Sequence, residues 1–161
     1  MIKVLDNFLS QEHFNILYKE ITSLRFPWYY QEGKVNPDDK LPSLTHSFFE
    51  ESMIHSNWFN FITPVLEKCD VMALRRIKGN FDYKNHESFK TSLHTDFEKG
   101  LDNCKTGIFY VNTNNGGTYF KDGKFVESVA NRFVMFPANM EHGTQTHTDV
   151  NFRIVLNFVW Y

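Results

Sequence analysis

The stretch "TGIFYVNTNNGGTYFKDGKFVESV", residues 106–129, decides the fold expected for this chain. Short runs of β-branched and aromatic residues alternate in it with turn residues, a pattern typical of β-strands. Asp122-Gly123 is a strong hairpin signal because a two-residue turn needs backbone angles that glycine adopts easily. The stretch therefore predicts successive strands joined by tight turns.

Further strands are predicted on both sides of this stretch. The segments "VMALRRIK", "NRFVMFP" and "FRIVLNFVWY" have the same alternation of β-branched and aromatic residues. The charged residues of the first segment, Arg75, Arg76 and Lys78, could face an anionic substrate, but their alternation favours a solvated strand edge.

Helices are predicted before the strands. Ser10 is a candidate N-cap, and Phe14, Leu17, Ile21 and Leu24 recur at helical spacing. A second helix is expected over residues 57–68. Helices followed by a run of strands favour a mainly β, α+β domain in which two sheets pack on each other and the helices lie outside.

Composition sets limits on the function. The chain has 161 residues, the size of one domain, so we expect a single domain with helical support in residues 1–70 and a β core in residues 71–161. A net charge of -2 gives no signal for nucleic-acid binding. The two cysteines lack zinc-site spacing, and no apolar run is long enough to cross a bilayer, so we expect an intracellular protein with no membrane partner.

The stretch "SLHTDFEKG", residues 92–100, contains a candidate pair of metal ligands. Side chains alternate faces along an extended chain, so His94 and Asp96 point the same way and can reach one ion. The pattern is not specific alone, because His147-Thr148-Asp149 repeats it.

The chain downstream offers His142 and His147 as a third ligand. His142 follows the strand that ends at Pro137 and its turn, whereas His147 lies five residues further on. Two imidazoles and one carboxylate on one face of Fe(II) leave the opposite face open for oxygen chemistry. No histidine follows His147 to complete a triad in the same order, so we expect the pair of His147 and Asp149 to lie in a solvated turn.

Arg153 lies inside the apolar segment "FRIVLNFVW". A buried guanidinium needs an anion, because an unpaired buried charge loses its hydration without compensation. Two partners remain open at this point. One is a structural salt bridge to an aspartate or glutamate, and the other is a bidentate contact to the carboxylate of a ligand.

These segments together carry a family resemblance. "LHTDF", "GIFYVNTNNGGTYFKDG", "VESVANRFVMFPANMEHG" and "FRIVLNFVW" resemble the Fe(II)- and 2-oxoglutarate-dependent oxygenases, in the prolyl-4-hydroxylase-like branch that has short microbial and viral members. The match covers roughly residues 71–161, with weaker similarity near the N-terminus. The order HxD, then His, then Arg is far more specific than any one of its parts.

The resemblance implies a double-stranded β-helix, or jelly roll, and a set of site residues. His94, Asp96 and His142 match the catalytic, metal-binding triad. Arg153, eleven residues after His142, matches the residue that binds the distal carboxylate of 2-oxoglutarate, and Tyr110 matches a tyrosine that supports the same carboxylate.

Two positions depart from the family pattern around the co-substrate. Asn80 corresponds to a polar residue that some members place against 2-oxoglutarate, but the tyrosine expected two positions later is Asp82 here. The small hydroxyl residue expected two positions after the arginine is Val155. Both departures concern contacts to the co-substrate and leave the metal ligands intact.

The implied activity is hydroxylation of a C–H bond, coupled to decarboxylation of 2-oxoglutarate to succinate, with Fe(II), 2-oxoglutarate and O2 required and ascorbate as a supporting reductant. The presence of Asp96 favours hydroxylation over halogenation. The substrate would be a small molecule or a peptide, with a prolyl residue suggested by the branch, and the location cytoplasmic, in a host cell if the protein is viral.

Two other classes of function remain open from the sequence. One is a cupin-like jelly-roll module that binds a small acid without turnover, and the other is a structural protein, such as a virion component. The first predicts ligand binding without oxygen-dependent decarboxylation, and the second predicts no metal affinity.

Overall fold

The computed structural model describes residues 1–32, 42–96 and 103–161. Within these ranges the chain forms two helices, α1 (Gln11–Ile21) and α2 (Phe59–Leu66). The strands in the same ranges are β1 (Lys3–Leu5), β2 (Tyr29–Gln31), β3 (Ser43–Glu50), β4 (Met53–Ile54), β5 (Leu74–Tyr83), β6 (Lys105–Tyr110), β7 (Gly117–Phe120), β8 (Phe125–Glu127), β9 (Arg132–Pro137), β10 (His142–Gln145) and β11 (Phe152–Trp160).

The described strands form two antiparallel sheets. The larger sheet has the order β1-β9-β6-β11-β5-β3-β2, with β4 paired to β3, and the smaller has the order β10-β7-β8. The hairpin predicted at Asp122-Gly123 joins β7 to β8. Its loop has three residues, 121–123, because the Phe120 amide donates to the Lys124 carbonyl, and Gly123 closes the loop with a positive φ of 87°. The predicted jelly roll is confirmed, because the described strands form two antiparallel sheets that face each other across a shared core.

The two faces of the larger sheet have different roles. On one face, side chains such as Phe109, Phe158 and Trp160 pack with apolar residues of both helices, including Leu17 and Ile62. The helices therefore lie outside the sheets, as predicted. The opposite face is turned toward the smaller sheet.

The face that is turned toward the smaller sheet is only partly apolar. Ile108, Val134 and Val155 pack there with Phe120 and Val126 of the smaller sheet. Because side chains alternate along a strand, every second residue of β5 and β11 points away from the helices and toward the smaller sheet. This arrangement places a polar cavity between the sheets.

Both predicted helices form, with shorter bounds. The Ser10 side chain accepts a hydrogen bond from the His13 amide, as expected of an N-cap, but α1 ends at Ile21 and Leu24 is fully exposed. In α2, Pro64 cannot donate to the carbonyl of Asn60. The Thr63 hydroxyl donates to that oxygen instead, which lets the helix continue through the proline.

The expectation of a helical segment over residues 1–70 was incomplete. The described part of this region, residues 1–32 and 42–70, contains four strands, and β3 pairs with β5 inside the larger sheet. Its sequence, "SLTHSFFE", mixes polar and aromatic residues because one face borders the cavity side and the other borders the helices. None of the helices in the described ranges is long and apolar enough to span a bilayer.

Candidate active site

The two sheets meet where His94 approaches the first residue of β10. The backbone amide of His94 donates to the carbonyl of His142, and the His142 amide donates back to His94, both over 2.9 Å. This bridge fixes the two backbones side by side, and the two imidazole rings lie 4.5 Å apart between their centres. Residues separated by 48 positions in sequence are thereby brought into one site.

Asp96 completes a cluster of three potential metal ligands with His94 and His142. One ligand atom from each residue can be chosen so that all three atoms lie within 4.8 Å of one another. His142 Nε2 lies 3.6 Å from Asp96 Oδ2, and both side chains are almost fully buried. The three residues that the sequence analysis selected are therefore adjacent in space.

Hydrogen bonding fixes which nitrogen of His142 can bind a metal. Its Nδ1 lies 3.0 Å from the Met140 carbonyl oxygen, which can only accept, so Nδ1 carries the proton. Nε2 then keeps its lone pair and points toward Asp96. A second hydrogen bond of this type is the usual support of a metal-binding imidazole.

The environment of His94 favours the neutral form of its imidazole. Burial, reinforced by the nearby His142, lowers the pKa of His94 below its ordinary value. A neutral imidazole has a lone pair for a cation, whereas the protonated form has none. The electrostatics of the site thus favour metal binding at neutral pH.

Three neighbours orient the carboxylate of Asp96. Arg76 Nη2 donates to Oδ1 over 2.9 Å, and the Thr106 hydroxyl donates to Oδ2 over 2.8 Å. The Asn157 side-chain amide adds a longer contact to Oδ1, at 3.3 Å. These donors come from β5, β6 and β11, so the rigid sheet holds the carboxylate in place.

The cluster lies in the wall of a cavity of about 480 Å³ between the sheets. Strand β5 lines it with Arg76, Lys78 and Asn80, and β11 lines it with Arg153, Val155 and Asn157. The expectation that the charges of β5 lie on a solvated edge was wrong for Arg76 and Lys78, because β5 pairs on both sides. Burial and the charge of Arg76 lower the pKa of Lys78.

Arg153 lines this cavity and donates hydrogen bonds to two side chains. Its side chain is 2% exposed, and its Nη1 donates to Asp82 Oδ2 over 3.1 Å. Its Nε donates to the Ser128 hydroxyl over 3.0 Å. The salt bridge to an acidic residue, one of the two partners left open by the sequence, is therefore present.

Tyr110 lies beside Arg153, behind the wall of the cavity. The two side chains are in cation–π contact, with the guanidinium carbon 5.9 Å from the ring centre. The Tyr110 hydroxyl donates to Thr118 Oγ1 over 2.7 Å, and Thr118 lines the cavity. Tyr110 is thus placed to orient Thr118.

The environment of Tyr110 leads to a testable pH dependence. Burial raises its pKa from its ordinary value near 10 to about 12. Because the folded state keeps the phenol proton more tightly, its contribution to stability is complete below pH 10 and is lost as the pH rises toward 12. In the wild-type protein, this effect should lower the free energy of unfolding by on the order of 2 kcal/mol as the pH rises toward 12. We expect Tyr110→Phe to lack this decrease.

Denaturant unfolding between pH 9 and pH 12 measures this difference. The exposed Tyr30 provides the control, since Tyr30→Phe should leave the pH profile of the wild-type protein unchanged. Parallel profiles for wild type and Tyr110→Phe would refute the assignment.

The second HxD pair does not lie as expected. His147 is fully buried, so the prediction of a solvated turn was wrong for this residue. Asp149 accepts hydrogen bonds from the backbone amide of Asn115, where it supports the loop before β7. The described part of the chain brings no third ligand to this pair.

Several residues of the site were missed by the sequence analysis. Asp82, Thr106, Ser128 and Asn157 each contact one of the selected side chains. For Asn157 a signal was available, because it is a polar residue at an alternate position of the largely apolar strand β11. Such a position is directed away from the core face.

Comparison with solved structures places this fold among known proteins. A prolyl-4-hydroxylase from Pseudomonas putida superimposes with a TM-score of 0.68 at 12% identity, over 99% of this chain and 90% of the other. The epimerase SnoN in complex with Fe3+, alpha ketoglutarate and nogalamycin RO matches with a TM-score of 0.70 at 10% identity, over 99% of this chain and 78% of SnoN.

A third match is HygX from Streptomyces hygroscopicus with nickel and 2-oxoglutarate bound. Its TM-score is 0.65 at 8% identity, over 99% of this chain and 82% of HygX. No family model and no curated protein sequence matches the chain. At these identities the likeness shows the fold, which is the one expected from the family resemblance.

Proposed function

We propose that this protein is an Fe(II)- and 2-oxoglutarate-dependent dioxygenase that hydroxylates a C–H bond, with residues 1–161 forming its single domain. The observation that carries the proposal is the partly buried cluster of His94, Asp96 and His142 in the wall of a cavity that Arg153 also lines. Solved proteins of the same fold contain Fe3+ with alpha ketoglutarate, or nickel with 2-oxoglutarate.

The residues present fit a divalent iron ion. Two neutral imidazoles and one carboxylate are the ligand set of a non-haem Fe(II) site that keeps positions open. His142 offers the Nε2 lone pair, and Asp96 is already fixed by its three donors. The metal and its co-substrate supply the oxidising chemistry, and the protein residues position and select the reactants.

The other wall of the cavity would hold 2-oxoglutarate. We assign its distal carboxylate to Arg153, which lines the cavity, since a guanidinium matches a carboxylate in a bidentate geometry. The Thr118 hydroxyl, oriented by Tyr110, and the Asn80 amide supply further polar contacts along the same cavity. The apolar Ile108 and Val155 limit the water around the reacting atoms.

The substrate class is the less defined part of the proposal. Solved neighbours include a prolyl hydroxylase in complex with a peptide fragment of hypoxia inducible factor, and HygX with hygromycin B. We propose a small molecule or a peptide as the substrate, with a peptidyl proline as the first to test. The cavity volume of about 480 Å³ is compatible with a small ligand or one side chain of a peptide.

Oxygen-dependent succinate formation tests the activity without knowledge of the substrate. The protein would be incubated with Fe(II), 2-oxoglutarate and 18O2, and succinate would be analysed by mass spectrometry. One 18O atom in the succinate, and no product without oxygen, would support a dioxygenase. If proline-rich peptides and small-molecule substrates also leave 2-oxoglutarate unconsumed while it binds, the binding-module alternative replaces this proposal.

Arg76 gives a further prediction because it holds the carboxylate of Asp96. We expect Arg76→Gln to lower Fe(II) affinity roughly 10-fold or more, the usual cost of losing a residue that orients a metal ligand. Arg76→Lys keeps the charge but shortens the reach, and should have an intermediate effect. Competition with a chromophoric chelator measures the affinity.

Arg75 on the same strand is the matched control for Arg76. It is exposed and lies against the ring of Tyr161, outside the cavity. Arg75→Gln should leave the metal affinity unchanged. Equal effects at Arg75 and Arg76 would show that the loss reflects the net charge of β5 and not the orientation of Asp96.

A further inference from the structure

We propose that Asp82 determines how strongly this protein distinguishes among 2-oxo acids, because its carboxylate offsets the charge with which Arg153 would bind the distal end of the co-substrate. This inference rests on the proposed function. It concerns the acidic partner of the cavity-lining Arg153, and not one of the three candidate metal ligands.

The strand register makes the pair of Asp82 and Arg153 a fixed feature. The two residues are direct cross-strand partners in the antiparallel pairing of β5 with β11. Their side chains meet at 3.1 Å and are both nearly buried, with 9% of Asp82 and 2% of Arg153 exposed. Neither side chain can leave this contact without uncovering a buried charge.

The geometry leaves part of the guanidinium for a ligand. Arg153 uses its Nε on Ser128 and one Nη1 hydrogen on Asp82, out of five N–H groups in total. A ligand carboxylate can therefore still dock on the remaining donors. It would then share the cation with a carboxylate that is already present.

The charges of Arg153 and Asp82 determine how favourable the binding of a ligand carboxylate is. Arg153 and Asp82 together carry no net charge, so an arriving carboxylate gains its hydrogen bonds but little net attraction. The repulsion from Asp82 acts in a partly buried site, where it is screened less than in water. The consequence is a modest preference for acids with a distal carboxylate over acids without one.

Two ligands of equal chain length separate this effect from general binding. 2-Oxoglutarate has a distal carboxylate, and 2-oxopentanoate has the same chelating end without it. Each would be titrated without oxygen into the Fe(II)-loaded wild-type protein and the Asp82→Asn variant. Dissociation constants come from the visible band of the chelate and, independently, from calorimetry.

We expect Asp82→Asn to bind 2-oxoglutarate about tenfold more tightly, a conservative figure for removing one charge near a partly buried carboxylate. Binding of 2-oxopentanoate should change less than about twofold, since this ligand has no distal charge. A ratio of the two constants that stays at the wild-type value, or falls, would overturn the inference. A purely structural role of Asp82 would alter both ligands alike.

A second Asp–Arg pair supplies the matched control. Asp6 pairs with Arg132 over 2.6 Å outside the cavity, so Asp6→Asn should leave both constants unchanged. If Asp82→Asn does not fold, the ratio of the two dissociation constants in the wild-type protein provides the test. A preference for 2-oxoglutarate below about tenfold supports the inference, and a larger preference contradicts the inference. Absence of binding by either acid would instead contradict the proposed function.

Discussion

His142→Ala is expected to lower the Fe(II) affinity of this protein by at least about 100-fold while the chain still folds. Residues that only support a ligand already contribute about 10- to 100-fold, so a direct ligand should contribute more. The variant loses the Nε2 lone pair beside Asp96 and the ring contacts with Phe120 and Phe136. We expect the lost packing to cost about 1 to 3 kcal/mol of stability.

Metal competition with a chromophoric chelator measures this affinity, and circular dichroism establishes that the metal-free variant is folded. His13 is exposed on α1 and provides a matched histidine outside the site. His13→Ala should bind Fe(II) as the wild type does. Wild-type affinity in a folded His142→Ala protein would remove His142 from the metal site.

Arg153→Met is expected to have two separate effects, one on folding and one on co-substrate binding. The substitution leaves the nearly buried carboxylate of Asp82 without its cation, which typically costs about 3 to 5 kcal/mol. It also removes the guanidinium from the cavity, and we expect the affinity for 2-oxoglutarate to fall about 100-fold.

A double variant separates these two effects. Arg153→Met combined with Asp82→Asn removes both charges of the pair, and should recover most of the lost stability because no unpaired charge remains. It should recover only part of the affinity for 2-oxoglutarate, because the repulsion from Asp82 is removed but the guanidinium is still absent. Thermal unfolding and anaerobic titration provide the two readouts. Tight binding of 2-oxoglutarate by the double variant would mean that Arg153 is not its partner.

The sequence predicted best what depends on local order. The strands of residues 106–129 and the hairpin at Asp122-Gly123 follow from alternation and turn chemistry, which need no knowledge of the remaining chain. The HxD spacing placed His94 and Asp96 on one side for the same reason. The approach of His142 followed from the order of motifs and is realised by the backbone bridge to His94.

The sequence could not give what depends on strand register and neighbours. The charges of "LRRIK" suggested an edge strand, but β5 lies inside the sheet, where Arg76 has the buried Asp96 as its partner. The pairing of Asp82 with Arg153 spans 71 residues and exists only because β5 and β11 pair in one register. His147 was predicted to lie in a solvated turn. Residues far away in the sequence bury it, and such burial leaves no pattern in the neighbouring sequence.

Strand β3 shows a third limit. Its sequence "SLTHSFFE" contains two serines, a threonine and a histidine, and it lacks the β-branched run that indicates a strand. His46 is buried there, with its Nε2 beside the Ser56 hydroxyl and its Nδ1 beside the Pro27 carbonyl. The surrounding structure satisfies these polar groups, so tertiary contacts override a weak strand propensity.

An anaerobic titration of the metal-free protein with Fe(II) and 2-oxoglutarate, followed by visible absorption, tests directly whether this protein binds both at the proposed site. We expect a weak charge-transfer band from the chelate. The band should be lost in His94→Ala, and the stabilised Arg153→Met/Asp82→Asn variant should need a higher concentration of 2-oxoglutarate to form it. A folded wild-type protein without this band, or a band of full intensity in His94→Ala, would contradict the proposed site.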